Sequence, residues 1–278
     1  MDKGKLFLVG TPIGNMEDIT LRALRVLREA DLVAAEDTRR ARKLLSHHDI
    51  HTTVTSYHAH NEREKAETIA GEVAAGKRVA LVSDAGMPGV ADPGFRVVDE
   101  CARRGLEVEV VPGPSSLTAS LALSGLPLRG FRYDGFVPRK RGERRSRLAE
   151  LLREGEAVVF YEAPHRLLET LKDLAELAPE RRVVVTRELT KVHEEVLRGT
   201  ASQVLEYFDD KKPRGEFVVI VSPGEEGEAP PLPELAGEVG ALVAEGLPAR
   251  EAVRAVALRR GVSQRQVYDA WLETKDGS

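Results

Sequence analysis

Residues 78–89, RVALVSDAGMPG, join a short apolar run to a loop rich in glycine and proline. The run has the length and composition of a buried strand, and Asp84 stands at the start of the loop. In α/β proteins, ligands bind at the carboxyl ends of strands. A carboxylate there can accept hydrogen bonds from an ammonium or hydroxyl group, while backbone amides and apolar atoms enclose a flat ring. The segment therefore predicts a rigid ligand-binding loop, with capping of the turn by Asp84 as the alternative interpretation.

Two further strand ends carry similar loops. GTPIGN (10–15) follows an apolar run, and PGPS (112–115) follows another, with Ser115 and Ser116 suited either to capping a helix or to facing a ligand. Ordinary turns need one glycine or proline rather than several, so three such loops favour a binding site. GTPIGN lacks the GxGxxG order, and Pro12 removes an amide that a phosphate would need. A nicotinamide-dependent oxidoreductase is therefore a poor fit.

The alternation of strands and helices predicts an α/β fold. Apolar runs predict strands of a largely parallel sheet at 6–9, 32–35, 79–82 and 108–111. Later runs predict a more mixed second sheet, with strands at 131–136, 158–161, 183–186, 193–197 and 217–221. Helical periodicity at 234–245, 249–260 and 264–272 predicts a C-terminal helical module.

The predicted organisation is two α/β domains followed by that helical module. The boundaries are an N-terminal α/β domain at 1–114, a second α/β domain at 115–224, a linker rich in proline, glycine and acid at 225–233, and a three-helix, helix-turn-helix-like module at 234–278. The sequence leaves two roles open for the module, which are RNA contact and simple packing or dimerisation.

Composition indicates a soluble globular protein without export. The 278 residues are 42% hydrophobic and 31% charged, and the apolar run near the N-terminus is too short for a signal peptide or a membrane span. The one cysteine, Cys101, excludes an internal disulfide and a multi-cysteine zinc site, and it lies in a helix predicted from Phe95 to Arg104. We therefore expect a cytoplasmic protein that needs no membrane.

Two basic stretches and a histidine cluster are candidate binding features. The net charge of −4 argues against indiscriminate binding to polyanions, but residues 38–43 and 138–147 are locally basic and favour phosphate contact. Five of the seven histidines fall between His47 and His60. No metal site is predicted, because His47 and His48 are adjacent and point apart, and no HExxH pattern is present.

Six motifs together resemble the tetrapyrrole (corrin/porphyrin) methylase superfamily, and within it the enzymes that methylate small-subunit ribosomal RNA. These motifs are GTPIGN (10–15), EDTR (36–39), SDAG (83–86), PGPS (112–115), YEAPHR (161–166) and RELTK (187–191). They span about Leu6 to Val221 in the expected order. The resemblance implies a homodimeric enzyme that uses S-adenosylmethionine to methylate the 2′-hydroxyl of a cytidine in 16S rRNA of the small ribosomal subunit.

The resemblance also implies site residues. The donor pocket would contain Pro12, Ser83, Asp84, Ala85, Gly86, Val90, Ser115, Ser116, Tyr161, Leu189, Gly215 and Glu216. Met87 departs from the family's usual threonine, which removes a hydroxyl group from the pocket. Glu188 and Lys191 are the candidates for a catalytic base or an orienting group, with a surface ion pair as the alternative.

RNA contact is predicted from the basic stretches and from the segment SYHAHNE (56–62), which matches the family on the substrate side. The predicted RNA-binding residues are Arg39, Arg40, His58, Asn61, Arg139, Lys140 and Arg141. Two other functions stay open at this point, namely a methylase that acts on a tetrapyrrole or corrin ring and a non-catalytic nucleic-acid-binding protein.

Overall fold

The computed structural model describes residues 4–127, 129–153, 155–209, 211–224, 232–260 and 264–276. The chain divides into two compact units, Met1–Ser222 and Pro223–Ser278. In its described residues, the larger unit contains two five-stranded sheets, so both predicted α/β segments lie within it. The predicted fold class, an α/β fold of two α/β domains with a small C-terminal helical module, is confirmed.

The first sheet is parallel throughout. Its strands are β1 (Lys5–Val9), β2 (Leu32–Ala35), β3 (Val54–Ser56), β4 (Arg78–Val82) and β5 (Glu107–Val111). They are ordered β3-β2-β4-β1-β5, so the loops after β4, β1 and β5 leave neighbouring strands at one edge. The edge strand β3 is absent from the sequence prediction because it has only three residues and no apolar run.

Helices cover both faces of this sheet. They are α1 (Leu21–Glu29), α2 (Thr38–His47), α3 (Glu62–Ala74) and α4 (Phe95–Arg103). Alternate residues of β1 enter different cores, because successive strand side chains point to opposite faces: Phe7 packs with Leu27 and Leu6 packs with Ile69. Cys101 on α4 is fully buried in the second of these cores.

The second sheet is mixed, as predicted. Its strands are β6 (Phe131–Phe136), β7 (Ala157–Glu162), β8 (Arg182–Arg187), β9 (Glu195–Thr200) and β10 (Phe217–Val221). The strands are ordered β6-β7-β10-β8-β9. Among these described strands, β6 and β7 pair in parallel and the other neighbours pair antiparallel. The prediction for β9 is wrong at both ends: the strand begins two residues later and runs to Thr200, because the chain after β8 first turns through residues 188–194.

Helix α5 (Ser116–Ser124) covers one face of the second sheet, where Leu117 and Leu121 pack against Val159 and Ile220. The other face carries α6 (Arg141–Arg153), α7 (Pro164–Leu177) and α8 (Ala201–Tyr207). Because α5 follows the PGPS loop directly, this loop leads from the first sheet to the second.

The smaller unit contains α9 (Leu232–Ala244), α10 (Ala249–Arg260) and α11 (Gln264–Asp276). Its own core includes Leu235, Val239, Val256 and Val267. Helix α9 begins at Leu232, within the segment 225–233 that the sequence predicts as a linker; residues 225–231 lie outside the described part of the chain. Residues 261–263 also lie outside it. Among the described helices, none has both the length and the apolarity to cross a membrane.

Candidate active site

The three glycine-rich loops meet at the carboxyl edge of the first sheet. Gly10 N donates to Val111 O (3.0 Å), while Thr11 and Gly86 exchange two backbone hydrogen bonds of 2.9 and 3.0 Å. A Cβ atom on Gly10 would lie 2.7 Å from the Cα of Gly113, so neither backbone leaves room for a side chain there. The loops predicted to form a site are therefore in direct contact.

A cavity of about 380 Å³ opens between these loops and the second sheet. Ten of the predicted donor residues line it, namely Asp84, Ala85, Gly86, Val90, Ser115, Ser116, Tyr161, Leu189, Gly215 and Glu216. The other two, Pro12 and Ser83, line a neighbouring cavity of about 240 Å³. We call these the first and the second cavity.

Three carboxylates from the loops after the neighbouring strands β2 and β4 line the first cavity. Asp84 Oδ1 accepts a hydrogen bond from Asp37 N (2.9 Å), and Asp84 Oδ2 lies 3.4 Å from Arg40 Nη1. Asp84 therefore both fixes the neighbouring loop and faces the cavity. Glu36 and Asp92 also line it but were not predicted as site residues. Their positions directly after β2 and within the loop after β4 were the available signal.

Burial raises the pKa of two of these carboxyl groups. The pKa of Asp92 is raised to about 7, first by burial and then by the charge of Glu36, although a hydrogen bond with Ser83 opposes the shift. Burial and the charge of Asp84 likewise raise the pKa of Glu36. A cationic ligand would relieve this repulsion, so the cavity is suited to a positively charged molecule.

The opposite wall of the first cavity offers hydroxyl groups and aromatic rings. Ser115 stands at the N-cap position of α5, but within the described residues its hydroxyl makes no capping hydrogen bond. Ser116 Oγ donates to Tyr161 OH (3.1 Å), and the Tyr161 ring lies 5.5 Å from that of Phe136. Apolar side chains complete the lining, including Ile13, Val90, Met87, Leu189 and Phe217. The wall therefore suits a flat ring with polar edges.

The two predicted catalytic residues form an ion pair. Lys191 Nζ lies 2.9 Å from Glu188 Oε1 and 3.2 Å from Glu216 Oε2. Lys191 lines the second cavity, whereas Glu188 is not among the described residues that line either one. Burial alone would raise the pKa of Glu188, but hydrogen bonds from Lys191 and the Glu216 amide outweigh it and the pKa is lowered. Burial alone would lower the pKa of Lys191, but its hydrogen bond with Glu188 and the charge of the nearby Glu216 outweigh burial and raise the pKa.

The loop that carries this pair, residues 188–194, is in close contact with the loop after β1. Asn15 N donates to Thr190 Oγ1 (3.0 Å), and a Cβ atom on Gly14 would lie 2.7 Å from Leu189 O. Glu188 and Thr190 have positive φ angles of 50° and 65°, a conformation uncommon outside glycine. At the exposed tip of the loop, Val192 is 96% exposed.

The first basic stretch forms the start of α2. Arg39 is exposed and paired with Asp37 (2.9 Å), while Arg40 reaches the wall of both cavities. The two predicted RNA-binding residues of the SYHAHNE segment form a hydrogen bond with each other, in which His58 N donates to Asn61 Oδ1 (2.8 Å). Asn61 therefore has a local structural role at the start of α3.

In the second basic stretch, half of the cations turn inward. Arg144 and Arg145 bind the buried Asp173 at 2.8 and 3.1 Å, and Arg147 pairs with Asp134. The predicted residues Arg139, Lys140 and Arg141 are exposed instead. Of these, Lys140 pairs with Glu143 (3.2 Å) and Arg141 lies 3.7 Å from Asp173.

Contacts of Arg166, in the YEAPHR motif, connect the exposed basic segment (residues 139–141) to a residue that lines the first cavity. Arg166 Nη2 donates to the carbonyl groups of Val137 (2.6 Å) and Pro138 (3.0 Å), directly before Arg139. Arg166 Nε lies 3.2 Å from the carboxylate of Glu162, which lines the first cavity. As for metals, the described residues contain no group of three or more histidine, cysteine or acidic side chains placed to hold an ion.

The chain belongs to the tetrapyrrole (corrin/porphyrin) methylase family, whose model matches residues 5–205. It is 48% identical to the ribosomal RNA small subunit methyltransferase I of Thermotoga maritima, over 79% of this chain and 98% of the relative. It is 42% identical to the protein of the same name from Halalkalibacterium halodurans, over 97% and 95%. The predicted family and the prediction of an S-adenosylmethionine-dependent methyltransferase are thereby confirmed.

Solved structures share the fold at lower identity. Diphthine synthase superposes with a TM-score of 0.63 at 19% identity, over 78% of this chain and 90% of that one. The uroporphyrin-III C-methyltransferase of Thermus thermophilus, in complex with S-adenosyl homocysteine, gives 0.56 at 24% identity, over 80% and 98%. These likenesses extend over about four fifths of the chain and concern the fold.

Proposed function

We propose that this protein transfers the methyl group of S-adenosylmethionine to the 2′-hydroxyl of a cytidine ribose in 16S rRNA of the small ribosomal subunit, as a cytoplasmic homodimer. The observation that carries the proposal is the acidic first cavity at a sheet edge that also presents exposed cations. The names of the relatives support an RNA acceptor over a tetrapyrrole ring.

The residues of the first cavity fit the methyl donor. Apolar and aromatic side chains can hold an adenine ring, and the carboxylates of Glu36 and Asp84 can accept hydrogen bonds from ribose hydroxyl and ammonium groups. When bound, the donor supplies an electrophilic methyl group on a positively charged sulfur. The predicted donor residues, including Pro12 and Ser83 in the second cavity, are retained in this proposal.

Methyl transfer requires that the acceptor hydroxyl approaches in line and loses its proton. Glu188 and Lys191 are both charged and paired with each other. Of the two roles that the sequence left open, catalytic base and orienting group, we therefore assign them the orienting role. They hold the loop against Gly14 and position Glu216 at the cavity wall. Asp92 also lines the first cavity, and because burial raises its pKa to about 7, its charge can change near neutral pH.

The decisive experiment incubates the protein and S-adenosylmethionine with small ribosomal subunits that lack the modification. We expect mass spectrometry of the digested RNA to find one 2′-O-methylated cytidine. A tetrapyrrole acceptor offered in parallel should remain unmodified. Methylation of that ring, or methylation of a nucleobase instead of a ribose, would contradict the proposed function. Failure to bind S-adenosylmethionine in calorimetry would leave only the non-catalytic alternative.

A second experiment tests the exposed basic segment. Charge reversal at Arg139 and Arg141 should weaken binding of the subunit and lower the slope of log affinity against log salt by about one for each phosphate group that is no longer bound. Donor affinity should stay the same, because neither residue lines the first cavity. Lys77→Glu serves as a control for a charge change far from this segment in the sequence, since Lys77 precedes β4 at the amino edge of the first sheet. Equal weakening by the control would indicate a general charge effect.

A further inference from the structure

The second cavity differs from the first in its charge. Three of its lining side chains are cations, namely Arg40, Lys43 and Lys191. Its volume is about 240 Å³, and it adjoins the first cavity, with which it shares Ile13, Arg40, Asp84, Ala85 and Glu216. A molecule in one cavity would therefore be separated from a molecule in the other only by this common wall.

Two of the cations are balanced by the acids of the common wall. Arg40 Nη1 lies 3.4 Å from Asp84 Oδ2, and Lys191 Nζ lies 3.2 Å from Glu216 Oε2. Lys43 is exposed, and in the described part of the chain no carboxylate forms an ion pair with it. The surplus positive charge of the second cavity is therefore located at Lys43.

Lys43 lies on the face of α2 that lines the second cavity. Arg40 and Lys43 are three residues apart, so they share one face of the helix, and Leu44 of the same face adds an apolar contact surface. Arg42 is next to Lys43 in sequence but points elsewhere, with its Nη1 3.4 Å from Thr38 Oγ1, and it does not line the cavity. The same helix thus carries one cation inside the cavity and one outside it.

We propose that the part of the second cavity lined by α2 binds the sugar and phosphate of the acceptor strand, with Lys43 and Arg40 contacting a phosphate group, while Pro12 and Ser83 stay assigned to the donor. This inference rests on the proposed function and names where its substrate lies. A cationic donor is attracted to the acidic first cavity, and an anionic RNA backbone to the cationic second cavity. The ribose hydroxyl then faces the donor at the common wall of Asp84 and Glu216.

The test compares Lys43→Ala with Arg42→Ala in steady-state methylation of small ribosomal subunits and in calorimetric binding of S-adenosylmethionine. Both variants lose one positive charge of α2, so any decrease in long-range attraction is common to them. Removal of a charge-assisted hydrogen bond should lower kcat/KM of Lys43→Ala for the subunit by about tenfold. Arg42→Ala should lose no more than about threefold. Donor affinity should remain at the wild-type value in both.

Lys43→Arg provides the conservative variant and should restore most of the activity, because a guanidinium group also binds phosphate. Equal kcat/KM for the two alanine variants would overturn the inference, as would a tenfold decrease in donor affinity in Lys43→Ala. Both results leave the proposed function standing as long as the wild-type protein methylates the subunit. If the wild type does not methylate it, the proposed function itself fails.

Discussion

Asp92 gives the first cavity a titration near neutral pH, because burial and the charge of Glu36 raise its pKa to about 7. Loss of its proton adds a negative charge next to a cationic ligand. Affinity for S-adenosylmethionine should therefore rise several-fold as pH increases from about 6 to about 8. Isothermal titration across this range measures the effect. The slope should be smaller for S-adenosylhomocysteine, which lacks the positive sulfur, and Asp92→Asn should flatten both curves.

The same residue has a predictable effect on stability. A carboxyl group with a raised pKa in the folded state binds its proton more tightly there than in the unfolded chain. Asp92 therefore stabilises the folded state most at pH values below 3.8, its ordinary pKa, and this stabilisation is lost as pH rises through about 7. Asp92→Asn should raise the free energy of unfolding at about pH 8 by roughly 1 kcal/mol, allowing for partial solvent screening. Urea unfolding without ligand measures this, and an unchanged midpoint would contradict it.

At this scale, the sequence predicted the residues of local motifs but not the effects of long-range neighbours. Asp84 and Ser115 lie in the loops after β4 and β5, so their place at the sheet edge could be inferred. The raised pKa of Asp92 depends on burial and then on Glu36, which is distant in sequence and reaches the same cavity only through the strand order β2-β4. The inward ion pairs of Arg144 and Arg147 were hidden for the same reason, since Asp173 and Asp134 lie on other elements.

Among the elements, the contact between the loop after β1 and residues 188–194 can be tested with two glycines. Gly14→Ala would place a methyl group 2.7 Å from Leu189 O, so we expect a decrease of about 1–3 kcal/mol in unfolding free energy and weaker donor binding. Gly71→Ala, within α3 and with open space at its Cβ position, should instead stabilise by about 0.5–1 kcal/mol. Thermal and urea unfolding of both variants give the comparison. Stabilisation of both would show that the loops do not hold each other in solution.

The strands and helices were predictable where periodicity and composition agree, as in β1, β4 and β10. The bounds of β9 were not predictable, because residues 188–194 turn with positive φ at Glu188 and Thr190 rather than at glycines. No common turn signal marks such a segment. The conformation is stabilised instead by contacts with Asn15 and Glu216, which come from other parts of the chain.

On the scale of the whole molecule, the C-terminal unit can be separated from the α/β unit. The alignment with the Thermotoga maritima relative takes in 98% of that protein but 79% of this chain, and the unmatched share is about the size of Pro223–Ser278. A chain ending at Ser222 should therefore fold and bind S-adenosylmethionine with unchanged affinity. Calorimetry measures the affinity, and circular dichroism measures the fold.

The same truncated chain decides between the two roles that the sequence left open for the helical module. If the module contacts RNA, KM for the small subunit should rise at least about fivefold while kcat is retained. If it only packs or dimerises, KM should stay constant and light scattering should show any change in mass. Loss of donor binding on truncation would contradict the independence of the two units.

The burial of Cys101 has a practical consequence for observing this protein at work. Burial raises the pKa of this thiol and shields it completely, and it is the one cysteine of the sequence. The wild-type chain should accordingly resist maleimide dyes while it is folded. A cysteine introduced at the exposed Val192 would then take a single fluorophore at the tip of a loop whose neighbour Lys191 lines the second cavity. Its emission could follow docking of the ribosomal subunit in real time, with no second label on the protein.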